Sequence, residues 1–437
     1  PVIGMAVGAM PEIVEDGRTG CLIEPGADAA TRMAAAITRV GEIDRGVCRA
    51  VAQERFPLSR MMDGYARLYQ QLALRDPQRL GVSEEHPALV VTRRVGVEEI
   101  EVEEVREDAS FAKLKASWEA LWSRDVWATP FQHPAWMLPW WRQFGPDGEL
   151  RAVVLRDLAT RELLGVLPLY VYRKPEPGER QLLLLGAGTT DYLDGVWGEE
   201  DVELAARALR FVLHNLDRWD TASLPQLRQG SRLRLAAKEL GLSLGASEPC
   251  STIDLRAELP AKIRANVGRY RRRAESSGGV SCTVAENEHD ALGGFEALVR
   301  LHSSRWERRG EDGVLCDSRV LSHHRESVPL LLQAGLLCLF HLTLSGETIG
   351  VLYALADGAH VAERRLYLYL IGFDERFKAL SPGTLLVHEA WMYARERGFA
   401  KLDLLRGGEA YKQLWGAAIE ETSVLQLPAS ALTVVAR

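Results

Sequence analysis

Hydrophobic positions along the chain change period several times, and each change predicts an element. "PVIGM" (1–5) and "TGCLIEPG" (19–26) are short apolar runs of the kind buried strands carry. "MPEIVEDG" places Pro11 in a first helical turn and Gly17 just past its end, and "DAATRMAAAITRV" (28–40) reads as a helix. "SRMMDGYARLYQQLAL" (59–74) carries the apolar stripe of another helix. Residues 1–74 therefore read as part of a Rossmann-like α/β unit. The stretch 75–97 mixes Pro, Gly and charge without periodicity and reads as a linker. Beyond it Phe111, Leu114, Trp118, Leu121 and Trp122 fall on one helical face.

The pattern then repeats. "ELLGVL" (162–167) returns as "ETIGVL" (347–352), 185 residues later, and Arg180 before "QLLLLG" returns as Arg365 before "LYLYLIG" at the same offset. In each copy a helix and then a strand follow: "VELAARALRFVLHNL" and "WDTASL" in the first, "GTLLVHEAWMYARERG" and "KLDLLRG" in the second. Ordered matches at one offset predict a duplicated α/β lobe, one over 98–250 and one over 251–437. The most apolar stretch, "VPLLLQAGLLCLFHLTL" (328–344), is interrupted by Gln333, Gly335 and His341 and reads as a buried helix end running into a strand, not a membrane span.

Composition narrows the class. With 47% hydrophobic and 26% charged residues the chain can build sizeable cores. A formal charge of −7 argues against gripping nucleic acid as its main task. The six cysteines are scattered, with no zinc spacing, so reduced thiols, no metal site and a cytoplasmic location are expected. Six of the eleven tryptophans lie between Trp118 and Trp141. Aromatic platforms bind sugars and bases, but such a cluster more simply packs a core.

Candidate chemistry concentrates in the second copy. In "KALSPGTLL", Ser381 suits a helix N-cap, Pro382 suits the first turn, and Gly383 lets a ligand approach the backbone. The N–H groups of Gly383, Thr384 and Leu385 would face an anion such as a pyrophosphate. The first copy carries Asp191, Asp194, Glu199, Glu200 and Asp201 in the matching stretch, which would repel phosphate. The helix at 262–273 holds Lys262, Arg264, Arg269, Arg271, Arg272 and Arg273, all off a narrow apolar stripe of Ile263, Val267, Tyr270 and Ala274. It reads either as a solvated basic face or as a landing surface for coenzyme A, a lipid phosphate or tRNA. "LDLLRGGEAYKQLWG" (402–416) is the densest polar constellation. Asp403 is either paired with an Arg or a base with a raised pKa, and Tyr411 suits an acid that protonates a leaving thiolate. Arg406 and Lys412 could hold acceptor or donor phosphates, with Arg305 and Trp306 of "LHSSRWERRG" as further substrate contacts. Neither a nucleophile elbow nor a P-loop is present, which argues against a covalent hydrolase or an NTPase.

"FQHPAWMLPWW", "DYLDGVW", "IRANVGRYRRRAESSG", "LHSSRWERRG", "SPGTLL" and "LDLLRGGEAYKQLWG" occur in the order seen in CelD/BcsL-type proteins, and residues 98–427 resemble that family. It is part of the GNAT acyltransferase superfamily and related to the double-lobed FemAB transferases. The resemblance implies two tandem GNAT-like lobes and acyl transfer from acyl-CoA to an amine or hydroxyl. The implied acceptor is a saccharide or lipid-linked molecule in exopolysaccharide or cellulose biosynthesis, beside a membrane polysaccharide synthase. On that reading Asp403 is the base, Tyr411 the acid, and Ser381, Gly383 and Thr384 the donor site. The loop is poorer in Gly than is usual in GNAT enzymes. Residues 1–72 resemble the end of the nucleotide-sugar domain of a GT-B glycosyltransferase of the retaining family-four type, without its donor-contacting Glu pair. With no initiator Met, this predicts the tail of a longer glycosyltransferase. Other readings are a FemAB-like transferase using charged tRNA, a glycosyltransferase in a longer chain, and a non-catalytic module of a polysaccharide synthase.

Overall fold

A computed structural model describes residues 1–7, 10–26, 28–55, 93–95, 98–174, 178–198, 202–307, 313–407 and 409–428. The chain divides into two compact units, Pro1–Glu85 and His86–Arg437.

In the first unit, β1 (Val2–Met5) and β2 (Gly20–Ile23) pair in parallel, joined through the short helix α1 (Met10–Ile13). Gly17 takes φ +76° at the turn before β2. Helix α2 (Ala29–Arg39) lies where periodicity places it, and α3 (Arg45–Arg55) was not expected. The helix expected at 59–74 and most of the expected linker lie outside the described residues. The linker's last residues do not fit the expectation: β3 (Arg93–Val95) pairs antiparallel with β4 (Glu98–Val105).

The second unit holds the two lobes. In lobe 1, α4 (Asp108–Lys113), α5 (Lys115–Trp122) and α6 (Pro134–Phe144) follow β4. Strands β5 (Gly148–Leu150), β6 (Ala152–Asp157), β7 (Leu163–Leu167), β8 (Leu169–Arg173), β9 (Arg180–Leu184) and β10 (Val196–Trp197) come next. Helix α7 (Glu203–Asn215), β11 (Thr221–Leu227), α8 (Arg232–Glu239) and β12 (Leu244–Ala246) complete it. Strand β13 (Cys250–Asp254) follows and ends the first repeat, and the second comprises α9 (Ala261–Glu275), β14 (Val280–Val284), α10 (Glu288–Glu307), α11 (Ser318–Gln333), β15 (Leu337–Leu344), β16 (Glu347–Ala356), β17 (Arg365–Phe373), α12 (Pro382–Glu396), β18 (Lys401–Arg406), α13 (Ala410–Leu414) and β19 (Ala418–Glu420). The last strand is β20 (Ser423–Pro428).

The repeat recurs in the structure, and its copies differ at their central strand. In lobe 2, β16 runs unbroken and pairs with β15 on one side and β17 on the other in a seven-stranded sheet, β14-β15-β16-β17-β18-β13-β19. The lobe 1 counterpart is cut at Pro168, which stands 185 residues before Tyr353. Lacking an N–H, Pro168 cannot continue the ladder. Its two halves, β7 and β8, enter different sheets, β10-β7-β6-β4-β3 and β12-β20-β11-β9-β8-β5.

The lobes also exchange strands, so the expected boundary at 250/251 does not partition the sheets. In each lobe one slot lies between the strand after the central helix and the last short strand. Lobe 1 fills the slot between β11 and β12 with β20, from the far end of the chain. Lobe 2 fills the slot between β18 and β19 with β13, the strand following β12. Each repeat thus donates its final strand to the other.

Five of the six clustered tryptophans are buried, Trp118, Trp122, Trp136, Trp140 and Trp141, so the core reading holds for them. Trp127 is the exposed one. The expected stripe on α9 also holds: Ile263, Val267 and Ala274 are buried against α12, with Tyr270 packed beside them. Among the described residues no helix is long and apolar enough to cross a membrane.

Candidate active site

The site is built where β17 and β18 part. These parallel strands pair only through Arg365↔Lys401, Leu366↔Leu402 and Tyr367↔Asp403. Past that point β17 continues to Phe373, while β18 takes an irregular turn at Leu405, whose φ is +58°. Between them the chain passes from Phe373 through a 3-10 turn (Glu375–Leu380) into α12.

At the start of α12, Pro382 occupies the first turn as expected. Ser381 does not cap the helix with its side chain. Its backbone is left-handed (φ +51°), its hydroxyl meets that of Thr384 at 2.8 Å, and its carbonyl accepts the N–H groups of Thr384 and Leu385. Of the three N–H groups expected to face an anion, only that of Gly383 lacks an acceptor among the described residues. A Cβ at Gly383 would meet the Phe373 ring at 3.4 Å, so the ring floors this corner. The basic helix α9 packs beside it. Arg273 donates to the Ala379 carbonyl (2.8 Å), two residues from Ser381, and Arg269, Arg272 and Arg273 are exposed. The two anion-favouring features of the sequence therefore meet in space.

The polar constellation of β18 lies deeper. Asp403 has no exposed surface. Its Oδ2 accepts from Tyr192 of lobe 1 (2.9 Å) and Arg365 Nη1 (3.1 Å), and its Oδ1 accepts the Leu405 N–H (2.9 Å). Arg365 also reaches Glu420 (2.7 Å), which Lys401 approaches in turn. Burial raises the Asp403 pKa, opposed by the Arg365 charge. Burial also opposes ionisation of Glu420, but the Arg365 and Lys401 charges outweigh it and lower its pKa to about 2. Of the two readings of Asp403, the Arg-paired one describes this geometry, since no acceptor molecule can reach its oxygens.

Arg406 and Lys412 are likewise engaged. Arg406 Nε donates to Asp191 Oδ1 (2.6 Å), so the acidic loop of lobe 1 answers a cation of lobe 2. Lys412 is 3% exposed, and its ammonium donates to the carbonyls of Leu405, Arg406 and Gly407. These are the carbonyls that the turn at Leu405 takes out of the ladder. Both side chains close the end of β18, and neither presents a free charge to a phosphate. Tyr411 is exposed at the first turn of α13, close to the parted strands in sequence and on the surface. Arg305 and Trp306 lie on α10, but their side chains are outside the described residues.

Lobe 1 supplies contacts that sequence reasoning missed. Tyr369 donates to the Thr189 carbonyl (2.7 Å), and with Asp191 and Tyr192 this loop lines the side of the β17–β18 gap. The gap is thus walled by both lobes. A cavity of about 650 Å3 lies away from it, in lobe 1 between α4, α6 and β5, with Trp141 and Leu150 in its wall.

Residues 261–413 match the acetyltransferase (GNAT) domain family. Most of lobe 2 is therefore similar to an acetyltransferase (GNAT) domain. The match spans α9, the start of α12, the parted strands and α13. Among solved structures, FemX is similar at 12% identity over 74% of this chain and 98% of that one, with a TM-score of 0.52. A tandem GNAT protein from the clavulanic acid biosynthesis pathway is similar at 12% identity (75% and 98% covered, TM-score 0.39). L-PGS from Bacillus licheniformis is similar at 10% identity (73% and 95% covered, TM-score 0.45). No curated protein matches this chain in sequence. The fold is that of two tandem GNAT-like lobes, as the sequence resemblance implied.

Proposed function

We propose that this chain transfers an acyl group from acyl-CoA to an amine or hydroxyl of a saccharide or lipid-linked acceptor. The observation that supports it is the GNAT match at residues 261–413, falling on parted parallel strands beside the start of α12 and the exposed arginines of α9. The N–H of Gly383, the Ser381 and Thr384 hydroxyls and Arg269 and Arg272 suit the phosphates of the donor. In the gap, the acceptor amine or hydroxyl attacks the thioester carbonyl and gives up its proton to water, the C–S bond breaks, and the thiolate takes a proton. In this reading Tyr411, exposed on α13, is the acid for that last step. Asp403 enters this reading as the tie that keeps the lobe 1 loop against the gap, not as the base.

A role in exopolysaccharide or cellulose-related synthesis, and a GT-B origin for residues 1–74, belong to the same proposal and rest on sequence resemblance. The test is thiol release from acetyl-CoA with amino sugars or saccharides as acceptors. Release that depends on acceptor and survives RNase supports the proposal. Transfer that needs charged tRNA and stops on RNase treatment would support the FemAB-like reading instead, which the basic face of α9 also fits.

A further inference from the structure

Two arginines at the seam of the lobes have no carboxylate partner among the described residues. Arg232, in the first turn of α8, is 7% exposed; among the described residues its side chain makes no ion pair or hydrogen bond, and its Nε is buried and unpartnered. Arg228, four residues earlier, donates to the Trp127 carbonyl and stands 5.2 Å over the Tyr192 ring. Both converge on one residue, since the Arg232 guanidinium lies 5.4 Å over the Trp127 indole. Trp127 is 44% exposed, unlike the rest of its cluster. A Cβ at Gly230 would collide with its ring, so a glycine is what lets the indole take this position.

Buried cations without partners are costly, and their surroundings normally explain them. Nearby carboxylates do not complete this pair. Asp125 accepts the N–H groups of Trp127 and Trp197 (both 2.9 Å). Asp194 accepts from the Gly195 N–H and the Trp197 indole. Asp357 accepts from the Tyr367 hydroxyl and the Arg365 N–H (both 2.9 Å). These acids balance charge at a distance and leave both guanidiniums without a carboxylate, Arg228 holding only the Trp127 carbonyl. The Tyr192 ring under Arg228 carries the hydroxyl bonded to Asp403, so this cation pair stands next to the wall of the β17–β18 gap.

We propose that Arg228, Arg232 and Trp127 form the acceptor anchor, holding an anionic saccharide whose carboxylate or phosphate meets the two guanidiniums and whose apolar C–H face packs on the exposed indole. A forked pair of guanidiniums suits the planar, multidentate oxygens of such groups. The inference deepens the proposed function by naming its acceptor class, and it can be measured without any donor.

The test is calorimetric titration of the full chain with glucose 1-phosphate, glucuronate and glucose. Binding of one or both anionic sugars, with at least tenfold weaker binding of glucose, is expected; the stronger of the two identifies the anion. Arg228→Gln and Arg232→Met should each weaken anionic binding at least tenfold, and Trp127→Ala several-fold. Gly383→Asp should leave it unchanged while abolishing acetyl-CoA binding. Should Arg232→Met fail to fold, Arg228→Gln decides the matter, because Arg228 is only half-buried. No binding of either anionic sugar, or binding unaffected by Arg228→Gln, overturns the proposal. Failure of acetyl-CoA to bind while the anionic sugar binds overturns the donor assignment alone.

Discussion

Asp403 and Lys412 show how burial decides the role of a charged residue. Both sit in the stretch richest in polar groups, yet each is consumed by neighbours: Asp403 by Tyr192, Arg365 and Leu405, Lys412 by three carbonyls. Removing one partner of a buried pair costs about 3–5 kcal/mol, at the lower end here because Glu420 still faces Arg365. Asp403→Asn should therefore lower stability by about 3 kcal/mol in urea denaturation, while the transfer rate per folded molecule changes only a few-fold. A hundredfold loss of rate with unchanged stability would restore Asp403 as the base. Lys412→Met should cost about 2–4 kcal/mol, since three carbonyls lose their donor, and leave acetyl-CoA affinity within a factor of two. Sequence could not separate these roles. The partners of Asp403 are 38 and 211 residues away, and a local pattern carries no information about them. Arg228 and Arg232 were missed for the same reason, although "QLRQGSRLRL" stands at the point of the first repeat where "LLRGGEAYKQ" stands in the second.

At the scale of elements, much was legible. The repeat, the stripe of α9 and the junction of α11 with β15 follow from periodicity, because buried faces impose period 2 or 3.6 wherever the strand or helix goes. The exchange of β13 and β20 was not, because the alternation of a strand fixes which face is buried and says nothing about which sheet it joins. The exchange makes a prediction. Leu425 of β20 is fully buried in the sheet of lobe 1. Leu425→Ala should cost about 2–5 kcal/mol and accelerate amide exchange in β11, some 200 residues away in sequence. If only amides of lobe 2 respond, the strand is not exchanged.

For the whole molecule, the exchanged strands and the seam of Tyr192, Asp403, Asp191 and Arg406 make lobes 1 and 2 one cooperative body. Its pH response is set by buried histidines. Burial holds His324 down to about 3, His133 and His388 down to about 4, and His323 well below its usual value. These groups are neutral when folded and take up protons on unfolding, so their contribution is present above about pH 6.5 and is lost as pH falls. Asp194 and Asp357, raised by burial to about 6, act in the opposite sense between about pH 4 and 6. The histidines outnumber them, so stability should fall on going from pH 7 to pH 5, by about 1–2 kcal/mol per pH unit. Urea midpoints at the two pH values check the sign.

The central claim is that lobe 2 holds an acyl-CoA donor at the start of α12, and titration of acetyl-CoA into the full chain tests it most directly, with Gly383→Asp as the comparison. The Phe373 ring leaves ordinary contact room for a Cβ there, and an acidic residue in a first helical turn favours the helix, so the variant keeps its fold. Binding to the native chain and its loss in Gly383→Asp is the predicted result. No binding, or equal binding by both, would contradict it.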